Sequence, residues 1–369
     1  MFNSERLRTA RERRGLTQKA LADATGLTSR TISTYEKAGF FDAVASDSIE
    51  RIASVLNYPV NFFRAGDISS LNIEAVSFRA MTKLSAQKRD SAIAAGKLAQ
   101  EVSNWLDSQF ALPQAKIPDC SFDDYSEPET AARVVREQWG LGELSITNMI
   151  HLLESKGVKV FSLAENCVEV DAFSFWTNGK PFVLLNTMKT PERSRFDAAH
   201  ELGHLVLHKH SSNNGRQAEL DADRFASSFL MPERSVLATV PRMPSLEHLI
   251  ELKKNWKVSL ASLVRRTFDL KLSTEWHYRQ LSIELNRRGF RTSEPQGLVE
   301  REKSLILDKI FSTMRAKGIK RREILDQLSL PLDEISTLTF NNNFFMEAIE
   351  GSGNNVTLKP KDAFLKLVK

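Results

Sequence analysis

Apolar residues along this 369-residue chain recur mostly at helical spacing, and only one internal stretch changes to short extended runs. Residues 1–63 read as a string of short helices. The first covers about 4–14, and Gly15-Leu16-Thr17 then breaks it and leaves Thr17 to cap a second helix carrying Ala20, Leu21 and Ala24. Gly26-Leu27 forms a tight turn before a third helix starting near Thr28, and Leu16, Leu21, Ile32 and Tyr35 supply a small core. Ile49, Ile52 and Leu56, followed by Tyr58 to Phe63, predict two closing segments. Gly66 to Ser70 reads as a linker, and an Ala-, Gln- and Lys-rich helix follows from about Leu84 to Phe110.

Helices near 129–139 and 145–156 lead into a strand at Val158–Phe161. Two further strands, Ala172–Thr177 and Lys180–Asn186, are joined by Asn178-Gly179, a strong hairpin signal. The chain is helical again from Thr190, through helices that end near Pro232 and onward. Beyond 296, a helix at about Leu298–Lys317 and a pair near Arg321–Leu328 and Leu332–Leu338 predict a small bundle. The fold class is therefore mainly α with a small α+β part. The breaks divide the chain into 1–65, a linker and connecting helix at 66–125, a third part at 126–295 and a helical region at 296–369. Residues 341–369 carry no readable function.

The pattern His200-Glu201-Leu202-Gly203-His204 changes the picture most. On a helix the two His stand one turn apart on one face, where two imidazoles can grip one metal ion and Glu201 can handle the proton of a metal-bound water. Thr190, Pro191 and Glu192 supply a helix start ahead of it. A second helical segment opens at Glu219-Leu220-Asp221-Ala222-Asp223, and a carboxylate from it can complete a three-ligand site with the fourth position left to water. Asp223, one turn after Glu219, can accept the free N–H of a ligand His. A merely solvated, charged amphipathic helix is the competing reading, and the second acidic motif weighs against it.

Charge adds a second candidate chemistry. The net charge of +5 is modest, but residues 1–40 hold eight Lys/Arg against four acids on the short helices. Helix-turn-helix spacing there places Thr28, Ser29, Arg30, Ser33 and Thr34 on the helix that would enter the major groove. Gln18 and the first-helix arginines are left to hold phosphates. Arg30 alone among these can read guanine with two hydrogen bonds. The later cluster Lys317, Lys320, Arg321 and Arg322 could touch DNA, with a solvated face the stronger reading. Two Cys, Cys120 and Cys167, make a disulfide framework unsuitable. The charged start and the lack of a membrane-length apolar run predict a cytoplasmic chain with no membrane partner.

Two resemblances follow from these residues. Leu16-Thr17-Gln18 through Gly26-Leu27-Thr28, continued to Phe63, resembles the Cro/lambda-repressor-like (XRE) five-helix DNA-binding domain. Phe196 to His208, then Glu219 to Pro232, resembles the ImmA/IrrE metallo-endopeptidases, which are gluzincin-like. That second resemblance implies Zn2+ on His200, His204 and Glu219, with Glu201 as general base. Glu219 is preferred to Asp221 and Asp223 because it holds the Glu of an E-x-x-A-D pattern. His208, usual in the family, is weighed as supporting the ligands more than as catalytic. Together the resemblances imply a regulator that binds operator DNA as a dimer and cleaves a repressor-type helix-turn-helix protein. Two rivals are a non-proteolytic transcription factor whose metal domain senses a ligand or binds a partner, and a toxin–antitoxin component.

Overall fold

The computed structural model describes residues 1–37, 44–68, 71, 85–121, 127–163, 171–210 and 215–346. Four short helices open it: α1 (Ser4–Arg13), α2 (Gln18–Thr25), α3 (Ser29–Tyr35) and α4 (Ser46–Leu56), closed by a 3-10 turn at Val60–Arg64. Side-chain caps start the first three, from Asn3, Thr17 and Thr28. Gly26, at φ +68°, ends α2 in the left-handed conformation that lets the chain turn straight to Thr28. Leu21, Ile32, Ile52, Leu56, Phe62 and Phe63 are fully buried between them, whereas Leu16 and Tyr35 sit half-buried at the edge.

These helices do not hang on a free tether. The helix α5 (Ala86–Gln109) lies along α1, with Lys97 on Glu5 at 2.6 Å, Arg6 on Glu101 at 2.9 Å and the Ser91 hydroxyl donating to the Arg13 carbonyl at 3.0 Å. Its other side faces a small sheet. Next come α6 (Pro128–Gln138) and α7 (Met149–Ser155), then β1 (Lys159–Leu163), β2 (Ala172–Thr177) and β3 (Lys180–Asn186), in the spatial order β1-β3-β2. β1 runs parallel to β3 and β2 antiparallel to it, with Thr177 opposite Lys180 across the Asn178-Gly179 turn. Both turn residues have positive φ, 49° and 72°, as the tightest hairpins require. Asp107 of α5 takes Lys159 and Lys180 at 2.6 Å each. A Cβ on Gly96 would stand 2.8 Å from Leu71 Cδ1 and 3.4 Å from the Phe173 and Phe175 rings, so the missing side chain makes room for Leu71 where α5 packs on β2.

The helix α8 (Pro191–Leu207) rests on β2, where Ser174 donates to the Glu201 carbonyl and the Trp176 indole N–H to the Leu205 carbonyl, both at 3.3 Å. Behind it follow α9 (Arg216–Leu230), α10 (Glu233–Thr239), α11 (Leu246–Leu252), α12 (Leu260–Asp269) and α13 (Glu275–Arg287). The described C-terminal part holds α14 (Leu305–Ala316), α15 (Arg321–Leu328), α16 (Leu332–Leu338) and α17 (Asn343–Met346).

The helix expected from Leu298 starts seven residues later. Residues 298–304 form instead a strap pinned by side chains from elsewhere in the chain. Glu192 accepts the Leu298 N–H at 2.6 Å, and Glu302 accepts from Arg195 and from the first N–H groups of α7. Ser304 caps α14 by accepting the Leu307 N–H, which sets its start at Leu305. Glu154 then receives the Ser304 hydroxyl and the Leu305 and Ile306 N–H groups, anchoring the start of α14.

The C-terminal helices return to the N-terminal ones. Glu334, in the first turn of α16, takes Arg13 at 2.9 Å with both side chains buried, and Asp333 takes Arg14 at 2.7 Å. The Ser162 hydroxyl of β1 donates to the Thr337 carbonyl of the same helix. Two separate elements, α5 and α16, thus connect the N-terminal helices to the sheet. Replacing Glu334 with Ala removes the buried carboxylate that Arg13 Nε holds at 2.9 Å. It is expected to cost about 3 kcal/mol in chemical denaturation, and an unchanged midpoint contradicts this clamp.

Burial pushes the Glu154 carboxyl up, against the three donors that lower it, to about 7. The fold therefore favours its protonated form, and the stability it contributes is complete below about pH 4.5 and is lost as pH rises through 7. Unfolding free energy compared at pH 5 and pH 8 is expected to fall over this interval. The fall is expected to be smaller in Glu154→Gln, and an equal fall in both chains contradicts the assignment.

Candidate metal centre

The centre is assembled by two helices that cross closely. A Cβ built on Gly203 of α8 would stand 3.1 Å from the Phe225 ring and 3.2 Å from the Ala222 Cα of α9. A side chain there would have to push α9 back by a few tenths of an ångström, and the glycine lets the first turn of α9 lie over the His face of α8. His200 and His204 turn their Nε2 atoms toward each other at 3.1 Å. Glu219 reaches both, with Oε2 3.5 Å from His200 Nε2 and Oε1 3.5 Å from His204 Nε2. Among the described residues, His200, His204 and Glu219 are the one group of three potential ligands, their atoms all within 4.8 Å.

The neighbouring acids are sorted by the same geometry. Asp221 accepts from Gln217 at 2.9 Å, and Asp223 meets His200 on its other nitrogen, Nδ1, at 2.9 Å. His208 does the same for His204, Nδ1 to Nδ1 at 3.1 Å. Each imidazole therefore has its outer nitrogen engaged and its inner one facing Glu219. Glu201 is buried at the centre of the motif and His210 lies outward, on Asp119 at 2.8 Å.

Electrostatics point the same way. Burial pushes the Glu219 carboxyl up, but hydrogen bonds and charge from His200 and His204 outweigh it and hold it far below the carboxylate range. Burial pushes the His200 imidazole down, and Asp223, Glu219 and Glu201 more than reverse this, raising it to about 10. Burial, reinforced by the charge of His204, lowers His208 to about 4, which leaves it neutral. A neutral His208 can accept the Nδ1–H of His204 and so fix the tautomer that presents Nε2 inward. The trio is thus an environment built around one positive charge. Ligand atoms 3.1–3.5 Å apart match the edge of a tetrahedron with metal bonds of about 2.0–2.1 Å, whose edge is about 3.3 Å. Two imidazoles and one carboxylate are also the donor set of zinc sites that keep a position open for water. The residues fit the ion.

At the N-terminal end, Thr28, Ser29 and Arg30 are exposed on or before α3, and Ser33 and Thr34 are half-buried. Thr28 caps the helix through the Thr31 N–H at 3.1 Å. Gln18 turns its amide to Glu36 at 2.8 Å. The first-helix arginines differ from expectation. Arg6, Arg8, Arg11, Arg13 and Arg14 are all bonded within the protein, to Glu101, the Glu36 carbonyl, Glu36, Glu334 and Asp333. Most of these acceptors lie far away in sequence, so the local charge excess overstated what is free. Lys19, Arg30 and Lys37 are exposed basic residues that carry no ion pair among the described residues.

Residues 153–268 match the model of peptidase family M78, the IrrE N-terminal-like domain, and residues 7–63 match the Helix-turn-helix model. The chain joins a helix-turn-helix domain to an IrrE N-terminal-like domain. No curated protein matches it significantly. The IrrE-like domain contains the whole trio together with Glu201, Asp223 and His208, and the helix-turn-helix match contains Gln18 and α3. No described helix is long and apolar enough to cross a membrane. Gly203 was the signal missed in the sequence, since a mid-helix glycine costs about 1 kcal/mol against alanine and is kept only for a reason. A Gly203→Val chain is expected to lose about 1–3 kcal/mol by forcing α8 and α9 apart. It is also expected to retain less zinc after dialysis, and wild-type stability with wild-type zinc would contradict the crossing as described.

Proposed function

We propose that this chain is a DNA-binding regulator with zinc-dependent endopeptidase activity, which cleaves a repressor-type helix-turn-helix protein in stress response or mobile-element control. The observation that carries the reading is the convergence of His200, His204 and Glu219, with Asp223 and His208 on the outer nitrogens of the two imidazoles. His200, His204 and Glu219 would hold zinc, and Asp223 and His208 would orient the imidazoles. A zinc ion held there would supply Lewis acidity toward a water and the scissile carbonyl. Glu201 takes the proton of the attacking water and returns it to the leaving amine nitrogen. The outer edge of β2, which rests on the motif helix, offers backbone groups on which an extended substrate can add a strand.

The same proposal assigns α3 to the major groove, with Thr28, Ser29, Arg30, Ser33 and Thr34 toward base edges and Gln18 toward a phosphate. A dimer would read two half-sites of an operator, and such a regulator works in the cytoplasm. The domain division at 65, 125 and 295 belongs to this reading, which rests on the two matched domains and on the resemblances above.

The test compares wild type with Glu201→Gln for bound zinc and for discrete fragments from repressors encoded near the gene. Zinc in both chains, with fragments from wild type only and turnover lowered by about 10²–10⁴-fold in the variant, is the expected result. Zinc without fragments from any partner favours the sensor reading, and no zinc removes the site.

A further inference from the structure

Beside the trio lies a cleft of about 600 Å³ between α8, α9 and α12, and Asp223, the partner of His200, is part of its wall. Four guanidinium groups, Arg193, Arg224, Arg265 and Arg291, line it, against two carboxylates, Asp223 and Asp269. Phe196, one turn before His200, and the exposed Leu220, next to Glu219, add apolar surface.

Three of the arginines already carry carboxylate partners: Arg193 has Asp171 and Asp197, Arg224 has Glu127, and Arg265 has Asp269. These arginine side chains are all more than half exposed, at 51%, 51% and 60%, so every pair except that with the buried Asp197 is worth little, and guanidinium donors are left unused. Arg265 is steadied by the rings of Phe268 and Tyr278, 5.6 and 5.9 Å away. Arg291 is exposed, bonds the Asn286 side chain at 2.5 Å and has no carboxylate partner among the described residues.

We infer that this cleft is a substrate subsite that selects an acidic residue close to the cleaved bond. The inference rests on the peptidase reading and specifies its substrate class. A Glu side chain entering past Asp223 lays its methylenes on Phe196 and Leu220 and brings its carboxylate to the free donors of Arg265 and Arg291. A Lys or Arg side chain at the same place meets Arg291, which no described carboxylate compensates, and an Asp269 already held by Arg265. Selection by exposed cations is screened by salt, so it weakens as ionic strength rises.

The experiment uses the full chain and a randomised peptide pool. Zinc-loaded wild type is assayed for cleavage, zinc-loaded Glu201→Gln for peptide retention, and both are repeated in the Arg291→Glu background with zinc content measured in every chain. The expected result is enrichment of Asp and Glu near the cleaved bond and among retained peptides. Arg291→Glu should weaken it by about fivefold at unchanged zinc content, with Arg291→Lys close to wild type. Cleavage without acidic preference, or preference untouched by Arg291→Glu, overturns the subsite and leaves the peptidase standing. Retention of acidic peptides without cleavage supports the subsite and overturns the peptidase. Neither cleavage nor acidic retention overturns both.

Discussion

Gly203 permits the contact on which the proposed chemistry depends. The trio exists because α8 and α9 approach until backbone and ring atoms stand about where a Cβ would begin to clash. With the helices farther apart, His200 and His204 would still share a face, but Glu219 would no longer reach both Nε2 atoms. The outer bonds would suffer too, since Asp223 on α9 meets His200 on α8. One close crossing therefore sets the inner ligand geometry and part of the outer hydrogen-bonding shell.

That crossing is held in turn by a wider frame. Ser174 and Trp176 of β2 fix α8 through its backbone carbonyls, and α5 holds the sheet from behind through Gly96 and Asp107. Because α5 also carries α1, the helix-turn-helix domain is packed on the same scaffold that supports the candidate metal centre. Glu334 adds a second connection from the C-terminal part, spending a buried ion pair on fixing orientation. The proposed DNA contact at α3 and the proposed chemistry at His200 thus share one packed body, and Arg30 stays exposed while its basic neighbours on α1 are bonded within the protein.

What was legible in the sequence was local. Two His four apart on a helix, Thr17 and Thr28 as caps, Gly26 after α2 and Asn178-Gly179 between strands each act through neighbours a few residues away. The choice among Glu219, Asp221 and Asp223 was not local, because the crossing at Gly203 decides which carboxylate faces inward. The arginines of α1 misled for the same reason: Glu101, Asp333 and Glu334 lie about a hundred to over three hundred residues from them. The helix expected from Leu298 starts at Leu305 because Ser304 caps it and Glu154, 151 residues before Leu305, takes its first N–H groups.

The central claim is that two imidazoles and one carboxylate of this chain share a single zinc ion. The most direct measurement is the zinc-edge X-ray absorption spectrum of the metal-loaded chain, with Glu219→Ala beside it. The account predicts two imidazole nitrogens plus oxygen donors at about 2.0–2.1 Å in wild type, with the oxygen shell altered in the variant. Sulfur at about 2.3 Å, or identical spectra from the two chains, would contradict it.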